Sequence, residues 1–495
     1  MGCGSRLRFS LFVLSVFLIF SLFTSIGIST AQLDTFVMKV EQHWDTYGVG
    51  GTCIPGGHNL AVADVDGDGL SEMITGGFSY SEANGTRVSL GAPLRIWSWN
   101  GQNLTLEKSE NWPGSIWCVF AGDADGDGDV EVLTVGGLSN ATGTVSSLRL
   151  WNWNGQSLVL RGSYAGISAS SIFVQDVDKD NKPEILSVGR ASNFSQPNAQ
   201  LNVWQWDGNN LSLKARMEWS AESDVARANS VNAADLDDDG TVEIVTCGYV
   251  NSPKNCSGQV CVWQFDGVDL LLKASAEWRK VDGYGLDVAG NVMGNTMAYN
   301  IKVGDVDGDG FPEVITGGFT YNGDKIEGQL RVWNWTGKAL NLEESQEWMT
   351  LDLTELKSIS INDVDSDGTK ELVTSGVTTK YGNWTDATNK ATAELKVWGS
   401  DGRTFTLKQS TNWIVGEGVC AWNCGTGDVD NDGVVEMITV GCMYVGTLCD
   451  PDLRIWSLPV GSNASTSFSY LPLAIIGTAA ISVMAAAYLF VRKRR

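Results

Sequence analysis

The sequence predicts an all-β protein: a seven-bladed β-propeller of four-stranded blades, followed by one C-terminal transmembrane helix. Three observations predict it. An acidic nine-residue string recurs seven times. Each copy is set in the same succession of short alternating stretches. The last copy lacks its fourth stretch, and a matching stretch stands at the N-terminus.

The string is D-x-D-x-D-G-x-x-E, beginning at Asp64, Asp123, Asp176, Asp235, Asp305, Asp363 and Asp428, with spacings of 59, 53, 59, 70, 58 and 65 residues. A fixed motif returning at such a period marks a repeat architecture. A short apolar stretch precedes each copy, as in Leu60-Ala61-Val62-Ala63, and a strand-like run ending in glycine follows, as in Glu72-Met73-Ile74-Thr75-Gly76. After a variable segment comes Leu94-Arg95-Ile96-Trp97-Ser98-Trp99, with relatives at 148–153, 201–206, 260–265, 330–335, 395–398 and 453–456. Asn-Gly or Asp-Gly then predicts a two-residue hairpin turn, because both tolerate positive φ. A last alternating run ends near Trp112, Trp219, Trp278, Trp348 or Trp413, with Tyr164 in the second copy.

Four-stranded units repeated radially make a propeller. The stretch from Phe36 to Trp44 has the fourth-strand pattern, so the N-terminal strand is expected to complete the last blade. That closes the ring and leaves no exposed edge to unravel. The Trp-x-Trp pairs put both rings on one face of a strand, and their recurrence favours packing between blades over sugar binding.

The acidic strings carry the chemistry. Calcium takes six to eight oxygens. Carboxylates at alternate positions, a glycine for the bend and a closing carboxylate let a short loop wrap one ion. The candidate ligands are Asp64, Asp66, Asp68 and Glu72; Asp123, Asp125, Asp127 and Glu131; Asp176, Asp178, Asp180 and Glu184; Asp235, Asp237, Asp239 and Glu243; Asp305, Asp307, Asp309 and Glu313; Asp363, Asp365, Asp367 and Glu371; and Asp428, Asp430, Asp432 and Glu436. Asp and Gly are also ordinary turn residues. Seven loops with four carboxylates each would nevertheless repel strongly without a cation, so up to seven Ca2+ ions are expected. Asn181 replaces the glycine in the third loop and still permits a left-handed bend.

Across residues 36–457 these loops and their frame resemble the FG-GAP/VCBS repeat family, whose best-known member is the integrin α-subunit propeller. The FG-GAP string itself is degenerate, as Thr75-Gly76-Gly77-Phe78 and Thr316-Gly317-Gly318-Phe319. The resemblance implies that each loop joins the first two strands of a blade and binds calcium through positions 1, 3, 5, 7 and 9. The chain is no integrin in outline: a short Ser-rich linker replaces the leg domains, and no adhesion domain is inserted.

Residues 1–31 read as a signal peptide, with Arg6 and Arg8 before an apolar run and small residues ahead of Gln32. The propeller is expected over 32–457 and a juxtamembrane linker over 458–470. Residues 471–491 are uncharged and long enough to span a bilayer. The basic tail 492–495 then places the propeller outside and the C-terminus in the cytoplasm. The formal charge is −24, and the six basic residues in the two ends leave −30 for the outer part. So acidic a surface excludes nucleic acid, whose phosphates need cations.

Nine N-x-S/T sequons, at Asn84, Asn103, Asn140, Asn193, Asn210, Asn255, Asn334, Asn383 and Asn463, suit a glycosylated surface protein. Export permits disulfides. Cys442 and Cys449 are the favoured pair, Cys247, Cys256 and Cys261 compete within one segment, and Cys118 is expected to stay free. With only His43 and His58 in the chain and no nucleophile motif, catalysis has little to work with.

The function expected is cell-surface adhesion or binding of an extracellular protein or glycan, without enzyme activity. Variable segments at 78–93, 138–147, 189–200, 249–259, 319–329 and 376–394, with the insertion at 279–300, supply the binding face opposite the acidic loops. The alternatives are a lectin using exposed tryptophans and a polysaccharide lyase or hydrolase on a calcium-stabilised propeller.

Overall fold

A computed structural model of the chain describes residues 36–459 apart from 44–57, 84–85, 141–142, 192–197, 221–224, 253–254, 283–284, 287–291, 294, 381–389, 403 and 446–447. The expected signal peptide, nearly all of the linker, the membrane helix and the basic tail lie outside the described residues, as does Trp44. Among the described residues no helix is long and apolar enough to cross a membrane. The compact unit ends at Leu458.

Strands follow one another in antiparallel groups of four. The first is Leu60–Ala63, Glu72–Gly76, Thr86–Trp99 and Leu104–Trp112, and Ser79–Ala83 adds a hairpin arm to the long third strand. Cys118–Gly122, Glu131–Asn140, Gly143–Trp153 and Leu158–Ala165 come next. The same order then recurs, starting from Ala169–Gln175, Val225–Ala234, Thr296–Gly304 and Leu353–Asn362. Val419–Gly427, Glu436–Val445 and Leu448–Ser457 make three strands, and their fourth is Val37–His43, paired antiparallel to Leu448–Ser457.

The innermost strand of every group contributes to one cavity of about 190 Å³. Its walls include Ala61, Phe120, Ser171, Val231, Lys302, Ile359 and Cys424. A set of sheets whose first strands share one central channel is a β-propeller.

Tryptophan holds adjacent sheets together. The first Trp of each third strand is anchored by its indole N–H to a hydroxyl on the second strand of its own sheet. Trp97 donates to Thr75, Trp151 to Thr134, Trp204 to Ser187, Trp263 to Thr246, Trp333 to Thr316, Trp398 to Thr374 and Trp456 to Thr439, all at 2.9–3.0 Å. An aromatic ring from the fourth strand of the preceding sheet then packs on six of these indoles. Trp112 lies on Trp151 with centroids 4.9 Å apart, Tyr164 on Trp204 at 4.6 Å and Trp219 on Trp263 at 4.8 Å. Trp278–Trp333, Trp348–Trp398 and Trp413–Trp456 follow at 5.0–5.2 Å. These third- and fourth-strand tryptophans are therefore packing residues, and Tyr164 serves where the second unit departs from the pattern.

The last and first groups pack on each other. Trp97 and Trp99 of the first share a cluster with Ile438, Val440, Leu453 and Ile455 of the last. The N-terminal strand is clasped by charge as well. Arg454, itself buried, donates to Asp452 at 3.0 Å and to Glu41 at 2.5 Å.

Two expectations change. The turn between third and fourth strands spans four residues, not two. Asn100 accepts at Oδ1 from the amides of Gln102 and Asn103, and Gly101 takes φ 80°. Asp207 and Asp266 do the same in their turns. The side-chain acceptor builds the turn, and only the glycine needs positive φ.

The cysteines also differ. Cys442 is disulfide-bonded, and Cys449 lies among side chains outside the described set. Cys118 is a free buried thiol, but so are Cys247, Cys256, Cys261 and Cys424. Cys247 lies opposite Val260, and Cys261 opposite Thr246. Alternation along the strands points the two thiols to opposite faces, where each joins a different core cluster. Burial pushes the Cys118 and Cys261 thiols up to about 12.

Replacing Thr316, which is 1% exposed, by Val leaves the Trp333 N–H without an acceptor. Such a loss costs about 1–3 kcal/mol. Urea denaturation of Thr316→Val is expected to show a lower midpoint with an unchanged slope.

Candidate metal centres

Each acidic loop joins the first and second strands of its group, so all seven lie at the same end of the propeller. Their folding is uniform. The first Asp accepts from the amide of the sixth loop residue at 2.9–3.1 Å, as in Asp64 with Gly69 and Asp428 with Gly433. The third Asp accepts from the seventh residue at 2.7–2.9 Å, as in Asp68 with Leu70 and Asp309 with Phe311. The closing Glu turns back under the loop to accept from the second residue at 2.8–3.2 Å, as in Glu72 with Val65 and Glu243 with Leu236.

The loop bends twice through left-handed backbone. Asn181 takes the sixth position at φ 67°, as its residue type allows. The fourth position also has positive φ, and there the chain places Lys179, Asp238, Ser366 and Asn431 as well as glycines. No sequence signal marked that position, because side chains of several kinds occupy it.

The backbone bonds engage one oxygen of each closing Glu and leave the other outside them. Asp64, Asp66 and Glu72 bring carboxylate oxygens within 4.8 Å of one another; so do Asp123, Asp125 and Asp127, then Asp176, Asp178 and Asp180, and also Asp235, Asp237 and Asp239. Four carboxylate oxygens of the loops are buried without a hydrogen-bond partner: Asp125 Oδ1, Glu184 Oε1, Asp235 Oδ1 and Asp237 Oδ1. A buried anionic oxygen with no donor is costly. A hard cation in each loop satisfies the oxygens there, so the residues present fit calcium.

Electrostatics points the same way. Burial first, and neighbouring carboxylates next, push Glu72, Glu131, Glu184, Glu243, Glu313 and Glu436 up to about 7. Asp66, Asp125, Asp178, Asp237, Asp307 and Asp430 are raised for the same reasons. Carboxyls that retain protons in this way are short of positive charge.

Two further features of the loops come from pairing between strands and between sheets. The second Asp abuts the third-to-fourth-strand turn of the next sheet. A Cβ on Gly155 would lie 3.0 Å from Asp66 Oδ2, one on Gly267 3.2 Å from Asp178 Oδ2, and one on Gly337 2.5 Å from Asp237 Oδ2. Gly101 meets Asp430 in the same way, which joins the last sheet to the first. In addition, every fourth strand carries a β-bulge at equivalent positions, and a bulge re-aims a side chain. The bulged residues are Lys39, Glu107, Arg161, Lys214, Lys273, Glu343 and Lys408. Glu107 faces Asp66, Lys214 faces Asp178, and Glu343 faces Asp307 and Asp309. The charge after Leu-x-Leu in the fourth-strand pattern was the only sequence trace of this second layer.

Residues 176–246, which hold the third and fourth loops, match the FG-GAP-like repeat family. No curated protein matches the sequence. Among solved structures, the chain is similar to the biofilm matrix protein Bap1 of V. cholerae, at 11% identity and a TM-score of 0.42, over 86% of this chain and 92% of that one. It is also similar to the rhamnogalacturonan lyase of Bacillus licheniformis, at 14% identity and a TM-score of 0.33, over 81% and 76%. The Dos1 propeller follows at 12% and 0.41, over 86% and 90%. Strand pairing and the shared central channel establish the architecture: the protein is a β-propeller that carries an FG-GAP-like repeat over residues 176–246.

Proposed function

We propose that this chain is a calcium-stabilised, seven-bladed propeller, held on the outer face of a membrane by residues 471–491, that binds an extracellular protein or glycan and is not an enzyme. The partnerless buried carboxylate oxygens of the acidic loops carry the calcium reading. The candidate ligands are the four carboxylates of each loop. Bound calcium would supply positive charge to the loop oxygens that hold it and so clamp the first hairpin of a blade.

Binding is assigned to the end of the propeller opposite the loops, where second strands connect to third strands. The hairpin arm Ser79–Ala83 and the short pair Gly285–Leu286 with Val292–Met293 belong to the connections of that end. A cleft there, between the first and last groups, is lined by Phe78, Pro93, Trp422 and Pro451, with Arg95 and Asp452 beside them. Aromatic and proline surface flanked by one cation and one anion suits a sugar ring or a short peptide segment.

Chelation of the purified full chain is expected to lower its melting temperature, and calcium to restore it. An unchanged melt, with elemental analysis finding no calcium, would rule the metal reading out.

Proton competition gives a second test. Folding raises six closing glutamates from 4.5 to about 7, so the metal-free fold binds protons more tightly than the unfolded chain. Stability of the chelated protein should therefore fall as pH rises from about 4.5 through 7. Calcium affinity, measured by titration calorimetry, should weaken as pH drops from 8 to 6, with protons released on binding.

The surface assignment predicts that protease added to intact cells removes the propeller and that N-glycosidase lowers its apparent mass. In glycan-array and protein-capture assays, Trp422→Ala should reduce binding at least tenfold while leaving the calcium content unchanged.

A further inference from the structure

The sixth loop differs from the others in what lies inside it. Lys408, the bulged residue of strand Phe405–Trp413, reaches over the third strand of its own sheet. Its ammonium Nζ donates to Asp365 Oδ2 at 3.0 Å, Asp367 Oδ2 at 3.4 Å and Glu371 Oε1 at 2.7 Å. These are the second, third and closing carboxylates of the loop. Three oxygens from three candidate ligands thus converge on one nitrogen.

The equivalent lysines do not reach their loops in this way. Lys214 donates to Gln205 at 3.2 Å, and Lys273 to Gln264 at 2.9 Å. Each glutamine stands on the third strand between the two indole-strand positions and stops the ammonium there. In the sixth unit that position is Gly399. A Cβ on it would lie 2.2 Å from Lys408 Cε and 3.0 Å from Nζ. The missing side chain is what lets the lysine cross.

The sixth loop also faces the seam of the ring. Each of the other second-position aspartates has a hairpin turn of the next sheet beside it. The next sheet here is the last one, whose third and fourth strands, Leu448–Ser457 and Val37–His43, come from opposite ends of the chain and share no turn.

We propose that Lys408 is a built-in cation: its ammonium takes the place of the divalent ion in the sixth loop, which binds no metal while the lysine is there. The inference rests on the calcium reading of the other loops. The sixth hairpin is then charge-compensated in every condition, and the blade next to the seam keeps its structure when calcium is scarce. A fixed ammonium has three donors for the three carboxylates it meets.

Native mass spectrometry of the full chain in calcium tests this. Lys408→Ala and Gly399→Ser, the second placing at 399 the residue found at Ser98, should each bind one more calcium ion than the wild type. In chelator, Lys408→Ala should melt below the wild type, and calcium should close the gap. Equal ion counts in wild type and both variants overturn the proposal, including the case in which none binds calcium; a wild type without any calcium overturns the metal reading too. Amine acylation of the wild type gives an answer that needs no variant. Lys408 should be equally protected in chelator and in calcium, and reactivity gained on adding calcium would mean that an ion displaces it.

Discussion

Crowded carboxylates at one end of the propeller set the terms for everything around them. Each first hairpin gathers four acidic side chains within nine residues, and the closing Glu is drawn into the sheet, where it is almost wholly buried. Backbone amides satisfy part of each group, in the same geometry in all seven loops. What they leave is negative charge that only a cation can compensate. The raised closing glutamates and the partnerless oxygens of the second to fourth loops are two expressions of that shortage. Lys408 is a third, in which the chain supplies the cation itself.

The loops are not isolated from the ring. The second Asp of one loop sits against the turn of the next sheet, and the same neighbouring sheets share an aromatic pair. Compensating the charge of a loop therefore bears on the contact between blades as well as on one hairpin. The indoles do the rest: each is held by a hydroxyl in its own sheet, and six of them are covered by a ring from the sheet before. Together these contacts hold the sheets around a channel too narrow to be a large binding site. The binding we propose lies at the opposite end, with its long connections.

Much of this was legible in the repeat. Position and period of the acidic string, the four alternating stretches and the displaced fourth strand gave the order of the strands and the pairing of Val37–His43 with Leu448–Ser457. Tyr164 could be placed opposite Trp204 because it fills the Trp position of its unit. The cysteines could not be placed so. Cys247 and Cys261 are close in sequence and adjacent in strands, yet pleating sends them to opposite faces. The turn at Asn100 was read from its Asn-Gly pair alone, and its side-chain acceptor lengthened it to four residues.

The sequence by itself determined the local chemistry, because every loop is a contiguous string whose ligands lie two to four residues apart. It also determined the ring order, because the repeat is strict and its break is at the ends. Only the tertiary structure decided how each loop is compensated. The bulged residue of the fourth strand, the third-strand side chain in its path and the turn of the next sheet are about twenty or more residues from the loop they act on. Strand pairing brings them together, and a single glycine, Gly399, separates a lysine held outside its loop from one that fills it.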